Sequence, residues 1–263
     1  MTPTAKAPVF FISHGAPTFA TEPGQLGPLL QTIGQGLVAT RAVLVVSPHW
    51  QSRDLLVMTT AQPETVHDFG GFAAELYALQ YPAVGQPELA VSAAALLTQA
   101  GFTVSLDARR GLDHGAWVPL MHLLPQAKVP VFQVSMPTRL TTAQALQVGQ
   151  ALACLRTQGV VIVCSGSMTH NLYELRQPGA QPVPYAGEFT AWVRSAVVTR
   201  GIGRVVNYRA EAPNAERAHP SDEHFLPLLV ALGATVETDP VRVLDGGITY
   251  GVLSMESYVW GLA

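Results

Sequence analysis

The sequence predicts an α/β fold: a single three-layer α/β/α domain around a central, mostly parallel or mixed sheet. Two observations predict it. Four short apolar runs, rich in β-branched residues and without polar alternation, read as strands covered on both faces. Between them lie Ala- and Leu-rich stretches of helical character, and strands alternating with helices build sheets sandwiched by helices.

The elements follow in order. Residues 9–12 form the first strand; Gly15 lets the chain turn sharply behind it and Pro17 stops the strand from continuing. Residues 42–46 form the second, and residues 55–59 a weaker one. Residues 87–99 read as a helix ended by Gly101. A weak strand covers 102–105, and Asp113 is placed to cap a helical run beyond it. Residues 131–134 are the third strong strand. Residues 142–158 form a helix, with Thr141 or Thr142 as cap and Gly159 as terminator. Residues 160–164 are the fourth strong strand. The Pro-, Gly- and Gln-rich stretch 176–184 reads as a surface loop. Helices are expected at 188–198 and 223–232, the latter capped by Ser221 and stopped at Gly233. A weak strand covers 249–255. No linker, charge block or repeat divides the chain, so one domain is expected over 1–263.

Composition narrows the functions. Only 13% of the 263 residues are charged and 48% are hydrophobic, which argues for a packed globule and against a charged binding surface. The net charge is −3 and no Lys/Arg cluster occurs, so no nucleic-acid partner is expected. The first apolar run is too short for a signal peptide, and no stretch approaches the roughly 20 apolar residues of a membrane span. The two cysteines, Cys154 and Cys164, lie in apolar surroundings and read as buried free thiols. A cytoplasmic protein is the default.

The functional signal is in the histidines. Ser13-His14-Gly15, Pro48-His49-Trp50 and Thr169-His170-Asn171 each follow a predicted buried strand. Ligands bind outside the carboxyl ends of such strands, so several histidines there point to one site assembled from distant segments. The Ser/Gly run 165–169 before His170 resembles an anion-binding turn at a helix start. His114 lies in Asp113-His114-Gly115, free to face the same cleft while Asp113 caps the helix. Glu223 and His224 fall together in the first turn of the last helix and point different ways. His67 sits in a loop able to cover a pocket. Trp50 reads as core filler, and His122 and His219 as structural. Imidazole ligands without a Cys-x-x-Cys pair suit non-haem Fe(II) or catalytic Zn(II), one ion per chain.

Six motifs then carry a resemblance across almost the whole chain. They are Ser13-His14-Gly15-Ala16-Pro17, Ser47-Pro48-His49-Trp50, His67-Asp68-Phe69-Gly70-Gly71-Phe72, Leu112-Asp113-His114-Gly115-Ala116-Trp117, Gly166-Ser167-Met168-Thr169-His170-Asn171-Leu172 and Pro220-Ser221-Asp222-Glu223-His224-Phe225-Leu226-Pro227. In this order they resemble the class III extradiol ring-cleaving dioxygenases, the LigB superfamily, and within it the DOPA 4,5-dioxygenase-type branch. The resemblance implies that His14, His49 and His224 hold the metal. It implies that His170 is an acid/base catalyst that also approaches the metal, and that His114 contacts substrate or shuttles a proton. His67 is expected to contact substrate or to stand just behind the residues that do. The best-known branch uses two histidines and a glutamate; here His224 stands at the third position with Glu223 beside it, leaving nitrogen or oxygen open. The implied substrates are a small catechol and O₂, the protein acting as a monomer or homodimer. Two other readings compete: a zinc hydrolase with Glu223 as base, and a non-catalytic, Memo-like binding protein. The latter is disfavoured by the low charge and the lack of an obvious exposed apolar stripe.

Overall fold

The computed structural model describes residues 6–262; Met1–Ala5 and Ala263, the ends of the domain expected over 1–263, lie outside them. Among the described residues the order is β1 (Val9–Ser13), α1 (Leu26–Gly34), β2 (Ala42–Ser52), β3 (Leu55–Met58), α2 (Ala74–Ala78), α3 (Pro87–Gln99), β4 (Val104–Asp107), α4 (His114–Leu123), β5 (Val131–Pro137), α5 (Thr142–Leu152) and β6 (Val160–Gly166). Then come α6 (Pro184–Val198), α7 (Ile202–Val206), α8 (Tyr208–Glu211), α9 (Ala215–Ala218), α10 (Leu226–Ala234), β7 (Val241–Leu244), β8 (Ile248–Thr249), β9 (Leu253–Ser254) and β10 (Ser257–Trp260).

Eight strands make one mixed sheet in the order β4-β3-β5-β2-β6-β1-β10-β7, while β8 and β9 pair separately. The centre, β5-β2-β6-β1, is parallel throughout. These are the four β-branched runs of the sequence. Every residue of β1 and β6 is buried, which explains why neither alternates. The flanks are antiparallel joins: β3 meets β5 on one side and β10 meets β1 on the other. Parallel neighbours need crossovers, and right-handed ones in opposite directions put helices on both faces. Accordingly α1 packs with α4, which lies on β2 and β6, whereas α5 packs with α10, which lies on β6 and β1. No helix among the described residues is long and apolar enough to cross a membrane.

Several boundaries differ from the sequence reading. β2 continues to Ser52 through a register shift against β5 between Val46 and Gln51. Pro48 sits in that irregular stretch, where no ladder donor is required. The helix predicted over 142–158 becomes 3₁₀ at Ala153, and Thr141, not Thr142, caps it in a capping box with Gln144. α6 begins at Pro184, whose fixed φ suits a first helical turn, so the preceding loop ends one residue earlier than predicted. α10 likewise begins at Leu226 with Pro227 in its first turn; Ser221 is not its cap, and Gly233 lies inside it. The strand predicted over 249–255 is only the β8–β9 hairpin; in sequence it lies between β7, at the sheet's edge, and β10, which pairs with both β1 and β7. Cys164 is buried as expected, but Cys154 is exposed on the 3₁₀ turn.

Candidate metal centre

Because the central strands run parallel, their carboxyl ends open on one edge. β1 delivers His14 directly, and the His14 N–H donates to Gly166 O at the end of β6, 2.9 Å away. His49 comes from the irregular extension of β2, not from a turn. His224 arrives on the turn before α10, where its carbonyl accepts from the Ser167 N–H at 2.9 Å. A Cβ on Gly166 would stand 2.4 Å from that carbonyl, so glycine is required for the turn to rest on the strand end. Gly15, at φ +62°, makes the sharp exit behind His14.

Ring nitrogens of His14, His49 and His224 all lie within 4.8 Å of one another. His14 Nε2 is 3.1 Å from His49 Nε2. The opposite nitrogens are engaged: His14 Nδ1 is hydrogen-bonded to Ser165 Oγ at 2.8 Å, and His224 Nδ1 donates to Glu223 Oε1 at 3.1 Å. Each ring is thereby oriented with Nε2 as its remaining donor atom. His224 Nε2 is buried without a hydrogen-bond partner, an arrangement that costs about 1–3 kcal/mol unless something coordinates it. Burial, reinforced by the neighbouring histidines, holds His14 and His224 well below the ordinary imidazole range. His49 falls to about 4, chiefly from burial and then from His114. Neutral imidazoles are the ligating form, and a cluster of them with oriented outer nitrogens fits zinc or iron.

His170 lies flat against His224, ring centroids 3.4 Å apart, and burial lowers its pKa to about 4. Its N–H donates to Ala218 O at 2.8 Å. His114, at the start of α4, stands with its ring centroid 3.9 Å from that of His49. His114 Nδ1 is 3.0 Å from Asp68 Oδ1, which also accepts the His114 backbone N–H at 2.8 Å. Asp68 Oδ2 is 3.7 Å from His49 Nδ1. Burial by itself would raise the Asp68 carboxyl, but the bonds and charge of His114 outweigh it and hold the group at about 2. Asp113 caps α4 through Ala116 N–H as predicted, and it does more. Fully buried, it also accepts from Ser47 Oγ at 2.7 Å, Arg110 Nη2 at 2.8 Å and Gln133 Nε2 at 2.9 Å. It therefore ties β2 and β5 to the helix that presents His114.

A cavity of about 380 Å³ stands over these side chains, with His14, His49, His114, His170 and His224 on its lining. Its walls are Pro17, Phe69, Phe72, Leu172, Leu175, Tyr250 and Leu253. The five histidines singled out for the site are thus brought together. His67 is not: its Nε2 donates to Leu79 O at 3.0 Å and its ring packs edge-on against Phe69 and Trp117, behind the wall. Glu223 borders a second cavity, while its carboxylate stays within 4.8 Å of ring nitrogens of His170 and His224. The 165–169 turn has no anion-binding form, because Ser165 holds His14, Ser167 Oγ donates to Thr169 O and no α-helix follows directly. Trp50 is buried under Arg110. His122 and His219 donate to Phe19 O and Met168 O, at 2.7 and 2.9 Å, and stand off the cavity as expected. Sequence reasoning missed Asp68 and Ser165 as partners of the histidines. Asp68 offered one signal, a lone carboxylate in an aromatic, glycine-rich loop. It also missed the apolar rim, where Phe72, Leu172 and Leu175 are exposed together because the fold joins two distant segments.

Residues 8–259 match the family model described as the catalytic LigB subunit of aromatic ring-opening dioxygenase. The 4,5-DOPA dioxygenase extradiol of Beta vulgaris is 38% identical over 253 residues, covering 95% of this chain and 94% of its own. The protein of that name from Escherichia coli K12 is 35% identical over 258 residues, covering 97% and 94%. A crystal structure of an uncharacterized Escherichia coli K12 protein superposes with a TM-score of 0.81 at 31% identity, over 97% of this chain and 99% of that one.

Proposed function

We propose, because the chain belongs to the LigB family of aromatic ring-opening dioxygenases, that it is a metal-dependent class III extradiol dioxygenase acting on a catechol with O₂. The observation that carries this reading is the buried, partnerless His224 Nε2 facing the paired Nε2 atoms of His14 and His49. These three nitrogens would hold one ion. The third ligand is then nitrogen, with Glu223 behind it as the acceptor that orients the ring, an arrangement common around metal-bound histidines. Fe(II) bound there would supply the redox chemistry that brings a catecholate and O₂ together, and zinc would fit the same donors.

The chain's own residues account for the proton movements. At neutral pH His170 is unprotonated, and it lines the cavity over the ligand cluster, so it can take a catechol hydroxyl proton. Such general-base help is worth roughly 10²–10⁴-fold. Asp68, facing His114 Nδ1, favours the proton on that nitrogen and leaves Nε2 to accept or return one. The apolar walls exclude water while the ring opens. Both oxygen atoms enter the product and the carbon–carbon bond beside the diol breaks, giving a semialdehyde acid without an external reductant. A zinc hydrolase with Glu223 as base is not favoured, since that carboxylate borders another cavity and is bonded to His224 and Ser221. The test is oxygen uptake: protein loaded anaerobically with Fe(II) should consume O₂ with a catechol and form a yellow product. Turnover with zinc and without oxygen would select the hydrolase.

A further inference from the structure

We propose that the catechol taken by this site carries an uncharged, apolar substituent, and that a zwitterionic side chain such as that of DOPA is disfavoured. The inference rests on the ring-cleavage reading above and adds the class of substituent.

Three observations carry it. First, no Asp, Glu, Lys or Arg lines the cavity among the described residues. Beyond the histidines the polar lining side chain is Tyr250, and its hydroxyl is already hydrogen-bonded to Thr18 Oγ1 at 2.8 Å. Second, Arg217, which pairs with Glu174 between the lining residues Leu172 and Leu175, is held on that carboxylate by two bonds of 2.7 Å. Third, the apolar wall continues outward: Phe72, Leu172 and Leu175 are 36%, 52% and 46% exposed at the opening.

The physical consequence is asymmetric. An ammonium or carboxylate drawn between these walls loses water and meets no partner, which is costly. An alkyl or aryl group covers apolar surface that is otherwise wet, which is favourable. The volume of about 380 Å³ is within the roughly 300–1,000 Å³ of pockets that enclose drug-sized molecules, so there is room beyond the catechol ring.

The experiment compares 4-butylcatechol, 3,4-dihydroxyphenylacetate and DOPA on the Fe(II) protein, and measures equilibrium binding of the same three to the Zn(II)-loaded protein. The kcat/KM for 4-butylcatechol is expected to exceed that for DOPA by roughly tenfold or more, a difference of about 1.4 kcal/mol. Binding to the zinc form should rank the compounds in the same order. Leu175→Arg, on the exposed rim, should narrow the gap for the dihydroxyphenylacetate anion. Equal or better kcat/KM and binding for DOPA would overturn the inference while leaving ring cleavage intact. Absence of turnover with every catechol, alongside preserved binding preference, would instead overturn the dioxygenase reading and support the cavity's selectivity.

Discussion

His170 and His224 lie face to face, with ring centroids 3.4 Å apart and planes within 10° of parallel. Stacking of this kind places the two rings side by side over the cluster while giving them different partners. His224 presents a buried nitrogen towards His14 and His49, whereas His170 hangs from Ala218 O by its backbone and keeps its ring in the cavity. His170→Ala is therefore expected to lower kcat by about 10²–10⁴-fold while metal content stays close to one ion per chain. Metal analysis of the variant by plasma mass spectrometry decides the matter. Complete loss of metal would make His170 a ligand.

Glu223 accepts from His224 Nδ1, so it would act on a bound metal through that ring. Glu223→Gln keeps an oxygen able to accept from Nδ1 but removes the charge, and Glu223→Ala removes both. Metal affinity is expected to weaken by roughly 10–100-fold in the alanine variant and less in the glutamine variant. Competition with a chromophoric chelator measures both. Equal affinity in all three proteins would place Glu223 outside the site's working parts.

Asp113 is the buried point at which three elements meet, and its loss should be structural. Asp113→Ala leaves the part-buried Arg110 guanidinium with only His49 O and the buried Gln133 amide without the acceptor they share. Breaking one side of a buried ion pair costs about 3–5 kcal/mol. Urea denaturation is expected to show a loss of that size, and a change under about 1 kcal/mol would contradict the hub role.

The strong strands and the five cavity histidines were legible because each feature is local. A buried parallel strand is a continuous apolar run, and the residues just past it must lie at one edge of the sheet. What escaped was contributed across the fold. Asp68 meets His114 over 46 positions and Ser165 meets His14 over 151, and no spacing rule links such pairs. β10 is a four-residue strand beginning with Ser257, too short to show periodicity, and it is defined only by its antiparallel partners β1 and β7. His67 stands behind the cavity lining for a related reason. Its loop does cover the pocket, but Phe69 and Phe72 face inward while His67 turns back to Leu79 O.

The metal-free protein should lose stability in mild acid, and the sign follows from the histidines. In the fold, His49 and His170 are held at about 4 and His14 and His224 well below the ordinary range, whereas in the unfolded chain all four titrate near 6.5. Below about pH 6.5 the unfolded state thus binds more protons than the folded one, so stability rises with pH across that window and levels off above it. Each histidine that is charged only in the unfolded state contributes up to about 1.4 kcal/mol per pH unit. Unfolding midpoints of the metal-free protein in urea are expected to be constant from pH 7 to 8 and to drop steeply from pH 6.5 towards 4.5. Saturating zinc should stabilise the fold most at neutral pH, with the benefit shrinking as protons compete for the same nitrogens. The double variant His49→Ala/His170→Ala should flatten the acid limb, because two of the groups that titrate differently in the two states are gone. An acid limb unchanged in that variant would show that other groups drive the loss.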